Sequence, residues 1–363
     1  MRSNRRVSRL LSWSLSAAVM VLSWIGPATA QPAAAEIRAA GAPSLALVAD
    51  DSAATWAVRV DGAARGGLPT TVPSSAQVDT FRAAGEGWLV TAVDGPGRDA
   101  RFHLARGTAD GAEALPVPAT TPGALLAEPT PVASADADKA LDASLEGLVW
   151  LEGHDHRSLS VRAARWTGAG WTTPVTVAPP GPGTQIALDV ARLADGSWLA
   201  VWAGFDGVDD EIVWSRFDGA EWSAPAAVSA NGVPDVTPTL RAQVEGGALV
   251  AWSGYDGADY RLHVARFDGD AWGTPRTVGG RGAALPRFAE SPTPVVVYRQ
   301  AVPRRWVLAE LGADALPQRS AGVALGAVRP QVLAVTGAGV TIAWPDVQNE
   351  ATKAAPTTIP WDL

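Results

Sequence analysis

The sequence contains no cysteine, only two methionines and only two lysines, Lys139 and Lys353. Without cysteine, no disulfide stabilises the fold and no lipid is attached through a thioether. Stability must therefore come from a buried apolar core, which a chain of 363 residues is long enough to form. The sequence also lacks a Gly-x-Ser-x-Gly motif, a phosphate-binding loop, a His-Glu-x-x-His motif and a dinucleotide-binding fingerprint.

Residues 1–30 predict a secretory signal peptide. Four arginines precede a mostly apolar stretch, residues 10–25, and Ala28-Thr29-Ala30 is a small-x-small cleavage site. The apolar stretch is interrupted by serines and is shorter than the roughly 20 residues that span a bilayer, so cleavage near Gln31 is preferred over a retained anchor. We therefore expect a secreted or periplasmic bacterial protein without membrane insertion after cleavage.

The charge of the mature chain is strongly negative. Removing the four arginines of the signal leaves 25 basic against 37 acidic side chains, a net charge of −12. This balance argues against nucleic acid as a partner, because nucleic-acid-binding surfaces are basic.

Internal repeats of about fifty residues run through the chain. Residues 197–207 (SWLAVWAGFDG) and 248–257 (ALVAWSGYDG) match at a distance of fifty, and matched blocks follow at 215–225 and 265–275. A third block lies at 165–174, and fainter copies lie at 88–95, 147–150, 294–298 and 340–344. Repeats of this period predict stacked or radially arranged units.

Within one repeat, runs rich in Val, Leu, Trp and Ala alternate with Asp-Gly, Gly-Gly or Pro, a spacing typical of antiparallel strands. No sustained 3.6-residue apolar period predicts a helix. Four strands per repeat around an axis predict an all-β β-propeller. In the clearest repeat the strands are placed at 238–244, 248–253, 261–267 and 273–278.

The preferred blade count is six, with seven as the alternative, and the N- and C-terminal segments are expected to close one blade together. The propeller domain is predicted to cover residues 44–350, after a flexible segment 31–43 and before a C-terminal tail 351–363. Residues 116–131 and 133–143 are expected to form a long excursion between blades, either a disordered insertion or a lid.

Tryptophans recur at fixed positions of the repeat. Trp150, Trp202 and Trp252 share one register of the second strand, and Trp171, Trp222 and Trp272 follow a glycine turn. Recurrence at fixed register predicts packing between units rather than stacking on a ligand.

The blocks that carry the last three tryptophans resemble degenerate Asp boxes, the S/T-x-D-x-G-x-x-W turn motif of sialidase-type (BNR-type) propellers. Ser215, Gly219 and Trp222 keep the spacing, although Asp218 lies one place late. The copies ending at Trp272 and Trp171 keep Gly-x-x-Trp without the Ser/Thr. The resemblance implies a propeller fold but little about activity, because these boxes lie away from the active site in that family.

The resemblance also implies which residues a sialidase would need: three arginines that converge on the substrate carboxylate, a tyrosine nucleophile activated by a glutamate, and an aspartate as acid/base. The candidate channel arginines, all in innermost-strand regions, are Arg192, Arg241 and Arg287. An Arg-Ile-Pro motif is absent. The three tyrosines are Tyr255, Tyr260 and Tyr298, and the nearest approach to a catalytic pair is Tyr298 with Glu290 or Glu310.

The loops between second and third strands are acidic and glycine-rich, and they are expected to gather on one face. The candidate ligand-face residues are Asp94, Asp99, His154, Asp155, His156, Asp206, Asp209, Asp210, Asp256, Asp259 and Tyr260. Their carboxylates suit Ca²⁺ or sugar hydroxyls, but Asp-Gly is also favoured in tight turns that need no ligand. The histidine pair has no evident third metal ligand. No resident cofactor or metal is predicted, with Ca²⁺ as the alternative.

Two functions fit these observations. The first is a monomeric, noncatalytic propeller that presents its loops to a glycan, peptide or protein partner. The alternative is a sialidase-like glycoside hydrolase with diverged catalytic residues. The first is preferred because no motif identifies three arginines that converge on the channel.

Overall fold

The computed structural model describes residues 36–37, 45–50, 55–60, 63–67, 72–73, 76–84, 87–95, 97–108, 111–133, 145–289, 291–324, 329–344 and 357–362. All of them belong to one unit of the chain, Ala33–Leu363. The predicted signal peptide and all of the predicted flexible segment 31–43 except residues 36–37 lie outside the described residues.

The described chain forms seven antiparallel sheets, numbered here in chain order, and in each the strands pair in sequence order. Sheet 1 comprises β1 Glu36–Ile37, β2 Leu45–Asp50, β3 Thr55–Val60 and β4 Ala63–Gly67. Sheet 2 comprises β5 Gln77–Ala84, β6 Gly87–Asp94, β7 Arg101–Thr108 and β8 Gly111–Leu115. Sheet 3 comprises β9 Leu125–Ala133, β10 Leu145–Gly153, β11 Ser160–Arg165 and β12 Val175–Ala178.

The next two sheets contain the clearest repeats. Sheet 4 comprises β13 Gln185–Arg192, β14 Trp198–Phe205, β15 Asp210–Phe217 and β16 Ala226–Ala227. Sheet 5 comprises β17 Asp235–Ala242, β18 Ala248–Tyr255, β19 Tyr260–Phe267 and β20 Arg276–Val278.

The last two sheets complete the described fold. Sheet 6 comprises β21 Ala284–Phe288, β22 Val295–Gln300, β23 Arg305–Leu311 and β24 Pro317–Ala324. Sheet 7 comprises β25 Gln331–Val335, β26 Gly339–Ala343 and β27 Thr357–Pro360. In the described residues the only helix is a 3₁₀ turn, Gly97–Asp99, and no helix there is long and apolar enough to cross a membrane.

The prediction of an all-β fold of repeated four-stranded sheets is confirmed. Six of the sheets have the four strands that the repeat predicts, and sheet 7 has three. The preferred number of blades, six, equals the number of four-stranded sheets, and the alternative, seven, equals the number of all described sheets. The expectation that the terminal segments share one blade is wrong, because in the described residues β1 to β4 form one sheet and β25 to β27 form another, with no strand pairing between the two. Strand β1 instead lies beside both β5 and β25, the first strands of sheets 2 and 7.

Two boundary predictions need correction. Residues 357–360 were placed in a C-terminal tail, but they pair with β26 from Ile342↔Thr357 to Gly339↔Pro360. Residues 116–131 and 133–143 are expected to form an excursion, but β9, the first strand of sheet 3, covers Leu125–Ala133. The proline-rich composition predicts an excursion, whereas the bulge at residues 128–129 accommodates Pro129 within the strand.

Strand positions in sheet 5 follow the sequence closely, since turn residues mark each end. The second and third strands were expected at 248–253 and 261–267 and lie at Ala248–Tyr255 and Tyr260–Phe267. In the following turn the carboxylate of Asp268 accepts hydrogen bonds from the N–H groups of Asp270 and Ala271, both 2.9 Å, and Gly269 has a φ of 115°. The equivalent Asp218 closes the matching turn of sheet 4 in the same way.

The recurring tryptophans pack in or against the core, and Trp171, Trp222 and Trp272 are only partly buried. Trp150, Trp202 and Trp252 are each at most 1 % exposed. The indole N–H of Trp202 donates to Oε1 of Gln185 at 2.6 Å, and that of Trp150 donates to Oε2 of Glu152 at 2.9 Å. Trp222 forms a bridge to Phe217 and packs on the core that contains Trp202. Fixed-register aromatics thus join neighbouring sheets.

Candidate functional site

The first strands of four successive sheets carry a bulge at corresponding positions. The pairing register shifts at residues 128–129 of β9, 187–188 of β13, 237–238 of β17 and 285–286 of β21. At each bulge one non-glycine residue has a positive φ: Glu128 (51°), Ala187 (55°), Thr237 (56°) and Leu285 (57°). L residues adopt this conformation only under constraint from their surroundings, so the four bulges are a repeated feature of the fold.

These bulges line one cavity of about 300 Å³. Its walls are Glu128, Thr130, Ala187, Leu188, Asp189, Thr237, Pro238, Leu285, Pro286, Arg287 and Arg329. Arg329 precedes β25, so the cavity collects residues from the first strands of sheets 3 to 6 and from the approach to sheet 7. A concave space with a few convergent polar groups is the common form of a binding site.

A series of side chain to backbone hydrogen bonds links these first strands. Oε2 of Glu128 accepts from the N–H of Leu188, and Oδ2 of Asp189 accepts from the N–H of Leu240 at 2.9 Å. Thr239 continues the series: its hydroxyl donates to Oδ2 of Asp189 at 3.2 Å, and it accepts from the N–H of Phe288 at 3.4 Å. The bulges interrupt the pairing between strands. Polar side chains of the preceding sheet therefore accept hydrogen bonds from backbone N–H groups at or near the bulges.

Glu128 is an acid in an unfavourable environment. Burial raises the pKa of its carboxyl above the ordinary value, and this outweighs the hydrogen bonds from the N–H groups of Leu188 and Ala187. A carboxyl whose pKa is higher in the folded chain than in the unfolded chain destabilises the fold as pH rises through the interval between the two values.

We therefore expect Glu128→Gln to raise the free energy of unfolding at pH 8, where the buried carboxylate destabilises the wild type, and to change it little at pH 4. Glutamine keeps the size of the side chain and an acceptor for the N–H of Leu188. Urea denaturation of both proteins at the two pH values measures the difference. A variant that loses more stability at pH 8 than at pH 4 contradicts the assignment.

Two arginines bring positive charge to the same cavity. The guanidinium of Arg287 is about half exposed, and its Nη1 lies 4.0 Å from Oδ2 of Asp189. Arg329 donates from Nη2 to the carbonyl of Leu285 at 3.1 Å and lies 5.6 Å from the ring centre of Trp306. Within the described part of the chain, its buried Nε has no hydrogen-bond partner. Burial and the charge of Arg287 lower the pKa of Arg329 to about 10, so it remains charged at neutral pH.

Of the three predicted channel arginines, only Arg287 lines the cavity. Arg192 is paired with Glu146, its Nε lying 2.7 Å from Oε1. Arg241 donates to the carbonyls of Ala289 and Ser291. Both arginines stand near the C-terminal ends of their strands, beyond the bulge, whereas Arg287 directly follows it. The second cavity arginine, Arg329, was missed.

The predicted ligand-face loops separate into distinct groups. Asp99 and the segment His154-Asp155-His156 are exposed, and Asp94 is half-buried. Arg98 donates to the carbonyl of His154 at 3.1 Å, which joins the two loops. The carboxylate of Asp155 accepts from the N–H of Arg157 at 2.8 Å and from Ser158, which lowers its pKa and accounts for it as a turn residue. In the described part of the chain, the histidine pair belongs to no group of three metal-ligating residues.

The loop of sheet 5 is neutralised by arginines. Asp256 is 2.9 Å from Nε of Arg261, and Asp259 is paired with Arg281. Tyr260 packs against Tyr255 at 5.4 Å between ring centres. The corresponding residues of sheet 4, Asp206, Asp209 and Asp210, lie close to Glu211 instead.

None of the three tyrosines lines the cavity. Tyr298, in β22 of sheet 6, is 3 % exposed. Burial raises its pKa to about 12, whereas an activated nucleophilic phenol needs a lowered pKa. Its strand neighbour is Val307, and Glu310 is paired with Arg319. Glu290, the other expected partner, lies outside the described residues.

Comparison with known proteins gives structural likeness without sequence relatives: no family model matches the chain, and no curated protein matches it. It is similar to an ulvan lyase of polysaccharide lyase family PL25 bound to -[GlcA(1-4)Rha3S]-, with a TM-score of 0.53 and 11% identity over 91% of this chain and 92% of that one. A second PL25 ulvan lyase structure gives a TM-score of 0.50 with 11% identity, covering 88% and 87% of the two chains.

A lectin from Aleuria aurantia, described as a six-bladed β-propeller with a novel mode of fucose recognition, gives 0.47 with 11% identity, covering 81% of this chain and 96% of the lectin. The likeness is one of fold. The fold of the chain itself is all-β, with repeated four-stranded sheets, and the activities of the neighbours are not transferred with the likeness.

Proposed function

We propose that this chain is an exported, noncatalytic binding module that takes an acidic saccharide into the cavity lined by Arg287 and Arg329. The seven sheets close into a propeller ring in this proposal, and the contacts of β1 with both β5 and β25 support that closure. Closure protects the sheet edges, as in other propellers. Export rests on the predicted signal peptide.

The observation that carries the proposal is the pair of arginines at one cavity. Among the described residues, the only ion pair of either guanidinium is the 4.0 Å contact of Arg287 with Asp189. The carboxylate of Asp189 already accepts hydrogen bonds from Val190, Thr239 and Leu240. Guanidinium groups pair strongly with carboxylates in a fork geometry. A ligand carboxylate or sulfate would satisfy this charge.

The remaining polar groups favour a saccharide as the carrier of that anion. Glu128 and Asp189 offer acceptors, and Thr130 and Thr237 offer hydroxyls, beside the apolar faces of Pro238 and Pro286. Sugar rings combine hydroxyls with apolar C–H faces, so such a lining matches them. Because none of the tyrosines lies at the cavity, a binding role fits better than a sialidase-type nucleophile.

A glycan-array screen of residues 31–363 tests this proposal, with uronic-acid oligosaccharides compared with their neutral counterparts. We expect preference for the acidic forms, and Arg287→Gln and Arg329→Gln to weaken binding about 10- to 100-fold each, from the loss of a charge-assisted hydrogen bond. Arg192→Gln is the matched control, since Arg192 pairs with Glu146 outside the cavity lining, and it should leave affinity unchanged.

Equal binding of acidic and neutral forms, or retained affinity in both cavity variants, would contradict the proposal. A fluorogenic sialoside assay on the same samples distinguishes the alternative. Turnover that disappears in Arg287→Gln would make the protein an enzyme of the sialidase type.

A further inference from the structure

A second group of charged residues lies at the end of the β14–β15 hairpin, apart from the cavity. It consists of Asp206, Asp209 and Glu211. Two further acids lie close enough to interact with them: Asp210, and Asp235 at the start of β17. One carboxylate oxygen from each of Asp206, Asp209 and Glu211 lies within 4.8 Å of the others. Among the described residues, no lysine, arginine or histidine forms an ion pair with these three acids.

Asp209 is the residue that points to a ligand. Asp209 is only 6 % exposed, and neither of its carboxylate oxygens has a hydrogen-bond partner among the described residues. A buried, unpartnered carboxylate is costly, and folded proteins satisfy such groups with a donor or a cation. Its neighbours do not supply one, because Asp206 and Glu211 are themselves acceptors of backbone N–H groups, from Val208 and Asn231.

Among the described residues, no positive side chain pairs with the three acids, although one carboxylate oxygen of each lies within 4.8 Å of the others. Like charges this close repel one another, and a cation between them relieves the repulsion.

The next repeat shows the same loop with that counter-charge built in. Asp256 and Asp259 correspond to Asp206 and Asp209 fifty residues earlier. At the positions of Glu211 and Asn231, sheet 5 carries Arg261 and Arg281, which pair with Asp256 and Asp259, respectively. One copy of the loop therefore balances its aspartates with two guanidinium groups, and the other replaces both arginines with an acid and an amide.

We propose that Asp206, Asp209 and Glu211 bind a Ca²⁺ ion that takes the place of the two arginines of the neighbouring repeat. The ligand set is all oxygen, which suits a hard cation rather than Zn²⁺. Ca²⁺ binds oxygen at about 2.4 Å, so two ligands on opposite sides of the ion are separated by about 4.8 Å. The oxygens of the group lie within that limit.

Isothermal titration of chelator-treated residues 31–363 with CaCl₂ alone tests the site, with thermal unfolding as the second readout. Wild-type protein should bind one Ca²⁺ and unfold at a higher temperature when Ca²⁺ is added, because an ion that binds only the folded state stabilises it. Asp209→Asn should weaken Ca²⁺ binding at least tenfold. The matched control is Asp256→Asn in the neighbouring loop, which should bind Ca²⁺ as wild type does.

A double variant transfers the arrangement of sheet 5 to sheet 4. Glu211→Arg with Asn231→Arg should show no Ca²⁺ response and should unfold, without Ca²⁺, at or above the temperature of calcium-free wild type. It keeps the test decisive if Asp209→Asn folds poorly. Absence of heat and of a thermal shift in wild type, an equal response in Asp209→Asn, or equal affinity for MgCl₂ would each overturn the calcium assignment. The saccharide assay above is independent, since its arginines belong to the cavity.

Discussion

Replacing Trp202 by alanine is expected to lower the free energy of unfolding by about 4 kcal/mol. The indole is fully buried and packs among residues of sheets 3 and 4, including Val161, Val190 and Trp198. Alanine removes this contact area and leaves a cavity that a close-packed core does not fill. It also leaves Oε1 of Gln185 without the indole N–H that donates to it at 2.6 Å. Urea unfolding followed by circular dichroism measures the change.

Two further variants separate packing from the hydrogen bond. Trp202→Phe keeps most of the apolar volume and loses only the N–H, so a cost of about 1 to 2 kcal/mol is expected. Val244→Ala, at a position 90 % exposed, should be neutral within about 0.5 kcal/mol. A loss below about 2 kcal/mol for Trp202→Ala would show that the repeated tryptophan does not join the sheets as described.

The second large effect is expected at Asp189, whose replacement by alanine should cost about 3 kcal/mol. Asp189 is 7 % exposed, and its oxygens accept from the N–H of Val190 and from two groups of β17, the N–H of Leu240 and the hydroxyl of Thr239. Alanine leaves these donors without their acceptor in the wall of the cavity. The free energy of unfolding, measured at pH 7, reports the loss.

Asp270→Ala is the control for the loss of a carboxylate, because Asp270 is exposed on a turn and should be neutral. The stability of Asp189→Asn should fall between those of the alanine variant and wild type. The amide keeps one acceptor oxygen, but its NH2 group replaces the second acceptor with a donor that faces other donors. If Asp189→Ala were as stable as Asp270→Ala, the linkage between the first strands of sheets 4 and 5 would not contribute to stability.

Much of the fold was predictable because its signals are local. Turn residues such as the Asp-Gly pairs at 206–207 and 256–257 mark hairpin ends, and alternating apolar runs mark strands. Trp202 and Trp252 recur at a distance of fifty, and a recurring large apolar residue is explained by packing. The prediction that the terminal segments share one blade is wrong because the sequence signals there are weak. Strand β1 is only two residues long, and β27 follows a segment that lacks the repeat pattern.

The cavity was harder to predict because its residues are set by bulges. Each of Arg192, Arg241 and Arg287 lies on the first strand of its sheet, so the sequence does not distinguish them. Of these three, Arg287 alone lines the cavity, because it directly follows a bulge. A signal was present: Pro129, Pro238 and Pro286 interrupt first strands, and proline inside a strand indicates a bulge or an edge. Arg329 lies outside the repeated segments, so repeat comparison gives no indication of it.

The acidic loops illustrate a different limit. Asp206 and Asp256 carry the same local turn signal, and the turn explanation holds for both, since each accepts the N–H groups two and three residues ahead. Their surroundings differ through residues that are distant in sequence from the turn, such as Asn231 and Arg281. Aligning the two repeats position by position, rather than reading each loop alone, reveals the difference in charge.

The central claim is that the cavity between the first strands binds an acidic saccharide through Arg287 and Arg329, and a crystal structure of residues 31–363 with a uronic-acid oligosaccharide tests it most directly. The account predicts the sugar carboxylate within hydrogen-bond distance of one or both guanidinium groups, with ring faces against Pro238 or Pro286. A saccharide bound instead at the second-to-third loops, with the cavity unchanged, would contradict it.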